Sequence, residues 1–175
     1  MTKRKKTRRL STKLESKMSL RLDLGSGGNK IGPDWVGIDS QALPGVDVVH
    51  NLEEVPWPLP DECASVAVAS HLIEHINPAN NGIIKFFNEV WRVLKFDGEL
   101  AITTPYAGSY GFWQDPTHVK GFNEASFYYF DPLHPSGYYR FYKPKPWKIK
   151  ESIFHRNGNL EIILIKRRLD PSYEK

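Results

Sequence analysis

At 175 residues the chain suits one domain with a sizeable core and is short for two. Its 40% hydrophobic and 25% charged residues are ordinary for a globular protein, which sets aside fibrous and wholly disordered classes. One cysteine, Cys63, rules out an intrachain disulfide and fits a reducing compartment. No apolar run reaches membrane-spanning length, and no apolar stretch of the secretory kind follows the basic N-terminus. A cytoplasmic protein with no membrane association is expected.

Charge is unevenly placed. Residues 1–20 carry eight Lys/Arg and one Glu, whereas the rest carries sixteen Lys/Arg and nineteen Asp/Glu. The basic character therefore belongs to the N-terminal segment. Residues 1–19 read as a tail too polar to pack, and residues 20–175 as the folded domain. Lys3 to Arg9 reads either as a weak phosphate-contacting, nucleic-acid-steering run or as a solvated tail.

In chain order, Leu20–Leu24 alternates and runs into Gly25-Ser26-Gly27-Gly28, a strand followed by a tight turn. Trp35–Asp39 and Val46–His50 are the next strands, and the apolar run Ser65–Ala69 suits a buried parallel strand. Phe86, Phe87, Val90, Val93 and Leu94 fall at helical spacing, which predicts a helix over 83–95 closed by Asp97-Gly98. Glu99–Thr104 is a further strand, stopped by Pro105. Residues 106–147, rich in Gly, Pro and aromatics, form a long excursion with one short helix near 124–129. Strand-like runs at 147–155 and 160–167 flank Asn157-Gly158, a hairpin signal. The expected fold is α/β and doubly wound, with a mostly parallel sheet, abbreviated early crossovers and a C-terminal antiparallel hairpin. Ligands in such sheets gather at the C-terminal strand ends, where the strand order switches.

Gly25 and Gly27 let backbone approach a ligand. The third glycine of a dinucleotide fingerprint is missing, because Asn29 and Lys30 stand there. About seven residues, Gly28–Asp34, join the first two strands, too few for a full crossover helix. A pyrophosphate cofactor would want that helix N-terminus, and S-adenosylmethionine (SAM) does not. Asp39 ends the second strand, where a carboxylate can accept from both ribose hydroxyls.

At these residues the sequence resembles class I SAM-dependent methyltransferases of the small, type 11-like branch. Leu22–Gly27 is similar to their first motif and Gly37–Asp39 to their second. Asn51-Leu52 through Pro58, His71–Ile76 and Glu89–Gly98 follow the same order, so the resemblance covers about residues 20–105. It implies a seven-stranded Rossmann-like sheet and SAM as cofactor. It also implies SAM contacts from Gly25, Ser26, Gly27, Asp39, Asn51 and Leu52, with His71 beside the methionine end. The sequence departs from the family pattern at Asn29, in its two short early crossovers, and at Asn51, where an Asp often meets the adenine amine.

His71-x-x-Glu74-His75 also matches a zinc-hydrolase pattern. These residues leave a short strand, and Pro78 follows soon after. No metal is expected at His71 and His75. Methyl transfer needs alignment above all, and a base only when the acceptor must lose a proton. His118 is the candidate base, with Asp115 orienting it, and Tyr106, Tyr110, Phe112 and Trp113 are candidate acceptor-pocket residues. Where nucleic-acid amino-methyltransferases commonly carry Asp/Asn-Pro-Pro-aromatic, this chain reads Ser70-His71-Leu72-Ile73. A small-molecule or sugar acceptor, through oxygen or carbon, is therefore expected; the alternatives are a nucleic-acid-associated methyltransferase steered by the basic tail and a non-catalytic SAM-binding or partner-binding module. The short crossovers leave one sheet face to be covered by residues 10–19 or by a second chain, which points to a homodimer.

Overall fold

In the computed structural model, which describes residues 19–174, seven strands make one sheet. They are β1 (Leu20–Leu24), β2 (Val36–Asp39), β3 (Val48–Val49), β4 (Ala64–Ser70), β5 (Leu94–Pro105), β6 (Trp147–Phe154) and β7 (Asn159–Lys166). Their order across the sheet is β3-β2-β1-β4-β5-β7-β6. β1 to β5 pair in parallel, and β7 runs antiparallel to both β5 and β6. The order reverses between β1 and β4, so the C-terminal ends of these strands open the crevice expected for a ligand. The basic segment of residues 1–18 lies outside the described residues.

The short connections are closed by side chains instead of helices. Asp23 Oδ2 accepts the Ile31 amide at 2.8 Å and so staples the β1–β2 loop. Burial raises the Asp23 carboxyl above its ordinary range, while the Ile31 amide and Lys30 pull it back. Asp47 Oδ2 accepts the Gly37 amide at 2.9 Å and the Lys30 ammonium at 2.7 Å, joining the loops on either side of β2. β3 is shorter than expected, only Val48–Val49, because the Asp47 side chain already occupies its approach to β2.

Helix α1 (Gly82–Val93) buries Phe86, Phe87, Val90 and Val93 along one stripe against the sheet. It stops two residues before the expected end. Leu94 turns extended and begins β5 directly. Asp97-Gly98 does not cap a helix but forms a bulge inside the strand, with Asp97 at φ 57°. The pairing skips accordingly, from Ala64 with Leu94 to Val66 with Glu99. The excursion holds two short helices, α2 (Tyr110–Trp113) and α3 (Ala125–Tyr128). Phe127 and Phe130 from it pack on Phe87 of α1, with ring centroids 6.2 and 4.3 Å away.

The two sheet faces differ. Leu100, Ile102 and Thr104 of β5 and Leu160, Ile162 and Leu164 of β7 are buried. Their alternates Ala101, Thr103, Ile163 and Ile165, with Val66 and Val68 of β4, are only half-buried. The segment expected to cover that face begins before residue 19 and lies outside the described residues.

Candidate active site

The loop after β1 is shaped by its glycines. Gly25 and Gly27 sit at φ 69° and 54°, conformations side-chain-bearing residues rarely adopt. A Cβ on Gly25 would stand 2.9 Å from Leu72 Cδ1. The loop after β4, in which Leu72 follows His71, therefore lies directly on the glycine turn. Ser26 folds inward, and a Cβ on Gly37 would meet its hydroxyl at 2.8 Å.

Asp39 locks this turn to β2. Its Oδ2 accepts the Gly27 amide at 2.9 Å and its Oδ1 accepts the Gln41 amide at 2.9 Å. Each oxygen keeps a lone pair for a ribose hydroxyl, and the carboxylate is half-exposed. The Gly25 cradle and the Asp39 carboxylate fit a SAM molecule whose ribose lies on β2. Asn51 is exposed and turns on itself: its Oδ1 accepts the Glu53 amide at 3.1 Å, with Nδ2 3.4 Å from Glu54 Oε1. Leu52 is buried in the core, and its carbonyl accepts the Trp57 indole at 3.1 Å. The loop carrying both is pinned from α1. Glu89, itself buried, accepts the Trp57 amide at 2.6 Å and pairs with Arg92 at 2.6 Å. Arg92 in turn donates to the Leu59 carbonyl at 2.9 Å and bonds to Asp61.

On the far side of the crevice, His71 has φ 50° and is half-exposed. Ile73–His75 form a single 3₁₀ turn, so His71 and His75 do not share an α-helical face as the zinc-hydrolase pattern requires. The Glu74 carbonyl accepts the Val119 and Lys120 amides at 2.9 and 3.2 Å, which ties the excursion to this turn and delivers His118 beside His75. The two imidazole centroids are 4.8 Å apart.

His118 is oriented differently from the sequence expectation. Its Nδ1 donates to the Phe112 carbonyl at 2.7 Å, and its ring stacks on Phe112 at 5.4 Å. That backbone carbonyl, not Asp115, fixes the tautomer. Asp115 Oδ2 stands 3.8 Å from the opposite nitrogen, Nε2. Asp115 starts a local turn in which it accepts both the amide and the hydroxyl of Thr117, at 2.8 and 2.7 Å. The hydroxyl bond, then the amide bond, hold its carboxyl below the ordinary range. Of the aromatic candidates, Phe112 is buried beneath His118, Tyr106 packs on Phe154, and Tyr110 and Trp113 stand largely in solvent.

Sequence reasoning placed Glu74 only in the His71-x-x-Glu74-His75 pattern and Thr104 only at a strand end, and missed their pairing. Glu74 is fully buried, with Oε2 accepting the Thr104 hydroxyl at 3.1 Å. A carboxylate inside the apolar run Leu72–Ile76 and a Thr at the end of β5 were the available signals.

Residues 22–102 match the family described as Methyltransferase domain. Among solved structures, the chain resembles the YcgJ protein of Bacillus subtilis, with 14% identity, TM-score 0.58, and 93% of this chain and 99% of that one covered. A SAM-dependent methyltransferase of Archaeoglobus fulgidus aligns at 17% identity and TM-score 0.59 over 90% of each chain. A possible histamine N-methyltransferase of Thermotoga maritima aligns at 14% identity and TM-score 0.59 over 90% of this chain and 87% of that one. Comparison with curated sequences returns no match. Over residues 22–102 the sequence thus matches a methyltransferase-domain model, and the chain shares the fold of these solved structures.

Proposed function

We propose that this protein transfers a methyl group from SAM to an oxygen or carbon of a small-molecule or sugar-type acceptor. The observation that carries the reading is the imidazole of His118, held by Phe112 with Nδ1 as donor and Nε2 as the atom with a lone pair. It stands beside His75, on the turn after β4 whose Leu72 lies on Gly25. SAM, when bound, supplies a methyl already activated on a sulfonium. Gly25, Ser26 and Gly27 would give it a backbone cradle, Asp39 would hold its ribose and His71 would stand by its methionine end; Asn51 would meet its adenine on turning away from Glu53, whereas Leu52 lies in the core. His118 Nε2 accepts the acceptor's proton as the new bond forms. Asp115, on the Nε2 side, favours the imidazolium that results. Ser70-His71-Leu72-Ile73 at the end of β4 argues against base-amine chemistry.

We place the protein in the cytoplasm, in keeping with its lone, half-buried thiol. No helix among the described residues is long and apolar enough to cross a membrane. Incubating the protein with metabolite fractions and SAM carrying a ¹³C methyl, then reading the product's carbon shift, tests the acceptor class. Label on an oxygen or carbon supports it, and label only on amines contradicts it.

A further inference from the structure

Glu74 and His75, from the turn after β4, meet His118, from the excursion after β5. One potential ligand atom from each lies within 4.8 Å of the other two. Each side chain is held from behind. The Thr104 hydroxyl donates to Glu74 Oε2, and His118 Nδ1 donates to the Phe112 carbonyl. His75 Nδ1 lies 3.2 Å from the Thr117 hydroxyl oxygen and 3.3 Å from its carbonyl. That hydroxyl spends its own proton on Asp115, so it accepts from the imidazole. Both rings therefore keep a lone pair on Nε2, the arrangement in which second-shell oxygens prepare histidines for a metal. The fully buried Glu74 keeps Oε1 without a hydrogen bond. His71 Nδ1 approaches that oxygen at 3.3 Å without hydrogen-bond geometry. A buried carboxylate oxygen with no donor calls for a cationic partner.

We propose that Glu74, His75 and His118 form a binding site for a divalent first-row transition ion such as zinc. Two imidazoles and one carboxylate are donors for that class, whereas calcium and magnesium favour all-oxygen sets. Ligand bonds of about 2.0–2.2 Å require the three donor atoms to draw in by roughly 1 Å, within the reach of small χ rotations. Three protein ligands leave coordination positions open to water or to an anionic oxygen. The set differs from the zinc-hydrolase pattern: His118, distant in sequence, takes the place of His71. The consequence rests on the function proposed above. The Nε2 lone pair that takes the acceptor's proton would be the one that binds the ion, so a filled site withdraws the base and inhibits methyl transfer.

The test uses the full-length protein, stripped with chelator and titrated with Co²⁺, followed by visible absorption, and with Zn²⁺ in competition. SAM affinity is measured on the same samples. One ion per chain is expected. His75→Ala and His118→Ala should each weaken it by about 100-fold or more, beyond the 10–100-fold that a supporting residue usually costs. SAM affinity within about threefold of wild type in both variants would show that the site is lost and the fold is not. No saturable Co²⁺ spectrum, or ion binding that survives either substitution, overturns the site. Ion binding without SAM binding would leave the site standing and refute the methyltransferase reading instead.

Discussion

Replacing Asp39 with alanine removes one carboxylate that serves two purposes. Inside the protein it holds the Gly27 and Gln41 amides, both at 2.9 Å. Toward SAM it presents the remaining lone pair of each oxygen to the ribose. A hydrogen bond to a charged group contributes about 1.5–3 kcal/mol net, so SAM affinity should fall by about 10- to 150-fold. The half-exposed loop bonds contribute less, about 1 kcal/mol, or a drop of about 2–4 °C in Tm for a chain of this length. In Asp39→Asn one acceptor oxygen is kept and an NH2 group is turned toward the Gly27 or the Gln41 amide, so its affinity should lie between wild type and Asp39→Ala. Calorimetry with SAM and with S-adenosylhomocysteine reads the affinity, and a thermal melt reads the loop. A folded Asp39→Ala protein that binds SAM as tightly as wild type would refute the ribose assignment.

His118→Ala should lower turnover by about 100-fold or more with SAM affinity nearly unchanged, since a base acts on the reaction and not on the cofactor; wild-type turnover would remove it from the mechanism. Glu89→Ala should destabilise the fold by about 2–4 kcal/mol, below the full effect of breaking a buried ion pair because Arg92 keeps partial access to solvent. An unchanged urea midpoint would contradict the pinning of the 51–61 loop. Asp115 should titrate below its ordinary 3.8, so any stability it contributes is present above 3.8 and disappears as pH falls through the lowered value. Thr117→Val removes the largest cause of that shift and should move the carboxyl back up; carbon-13 NMR titration showing no movement would contradict the assignment.

The parts of this fold governed by local patterns were readable in advance. Alternation in Leu20–Leu24 matched β1, the helical spacing of Phe86 to Val93 matched α1, and Asn157-Gly158 sits at the β6–β7 turn, with Gly158 at φ 89°. The short early crossovers followed from residue counts alone. The boundary after α1 did not, because Leu94 is recruited by pairing with Ala64, a contact between residues thirty positions apart. The site divides the same way. The glycine turn and Asp39 adjoin in sequence order, and the structure joins them through the Gly27 amide. The far wall depends on the excursion folding back onto Glu74. The three-residue spacing of Asp115 and His118 was therefore misleading, since the backbone at Phe112 reaches Nδ1 first. The burial of Glu74 against Thr104 joins residues thirty positions apart, and no local spacing reveals it.

A crystal structure with S-adenosylhomocysteine bound is the most direct test. It should place the ribose hydroxyls about 3 Å from the two Asp39 oxygens and the sulfur over the Gly25–Gly27 turn. A nucleoside seated elsewhere, with Asp39 bonded only to Gly27 and Gln41, would contradict the account.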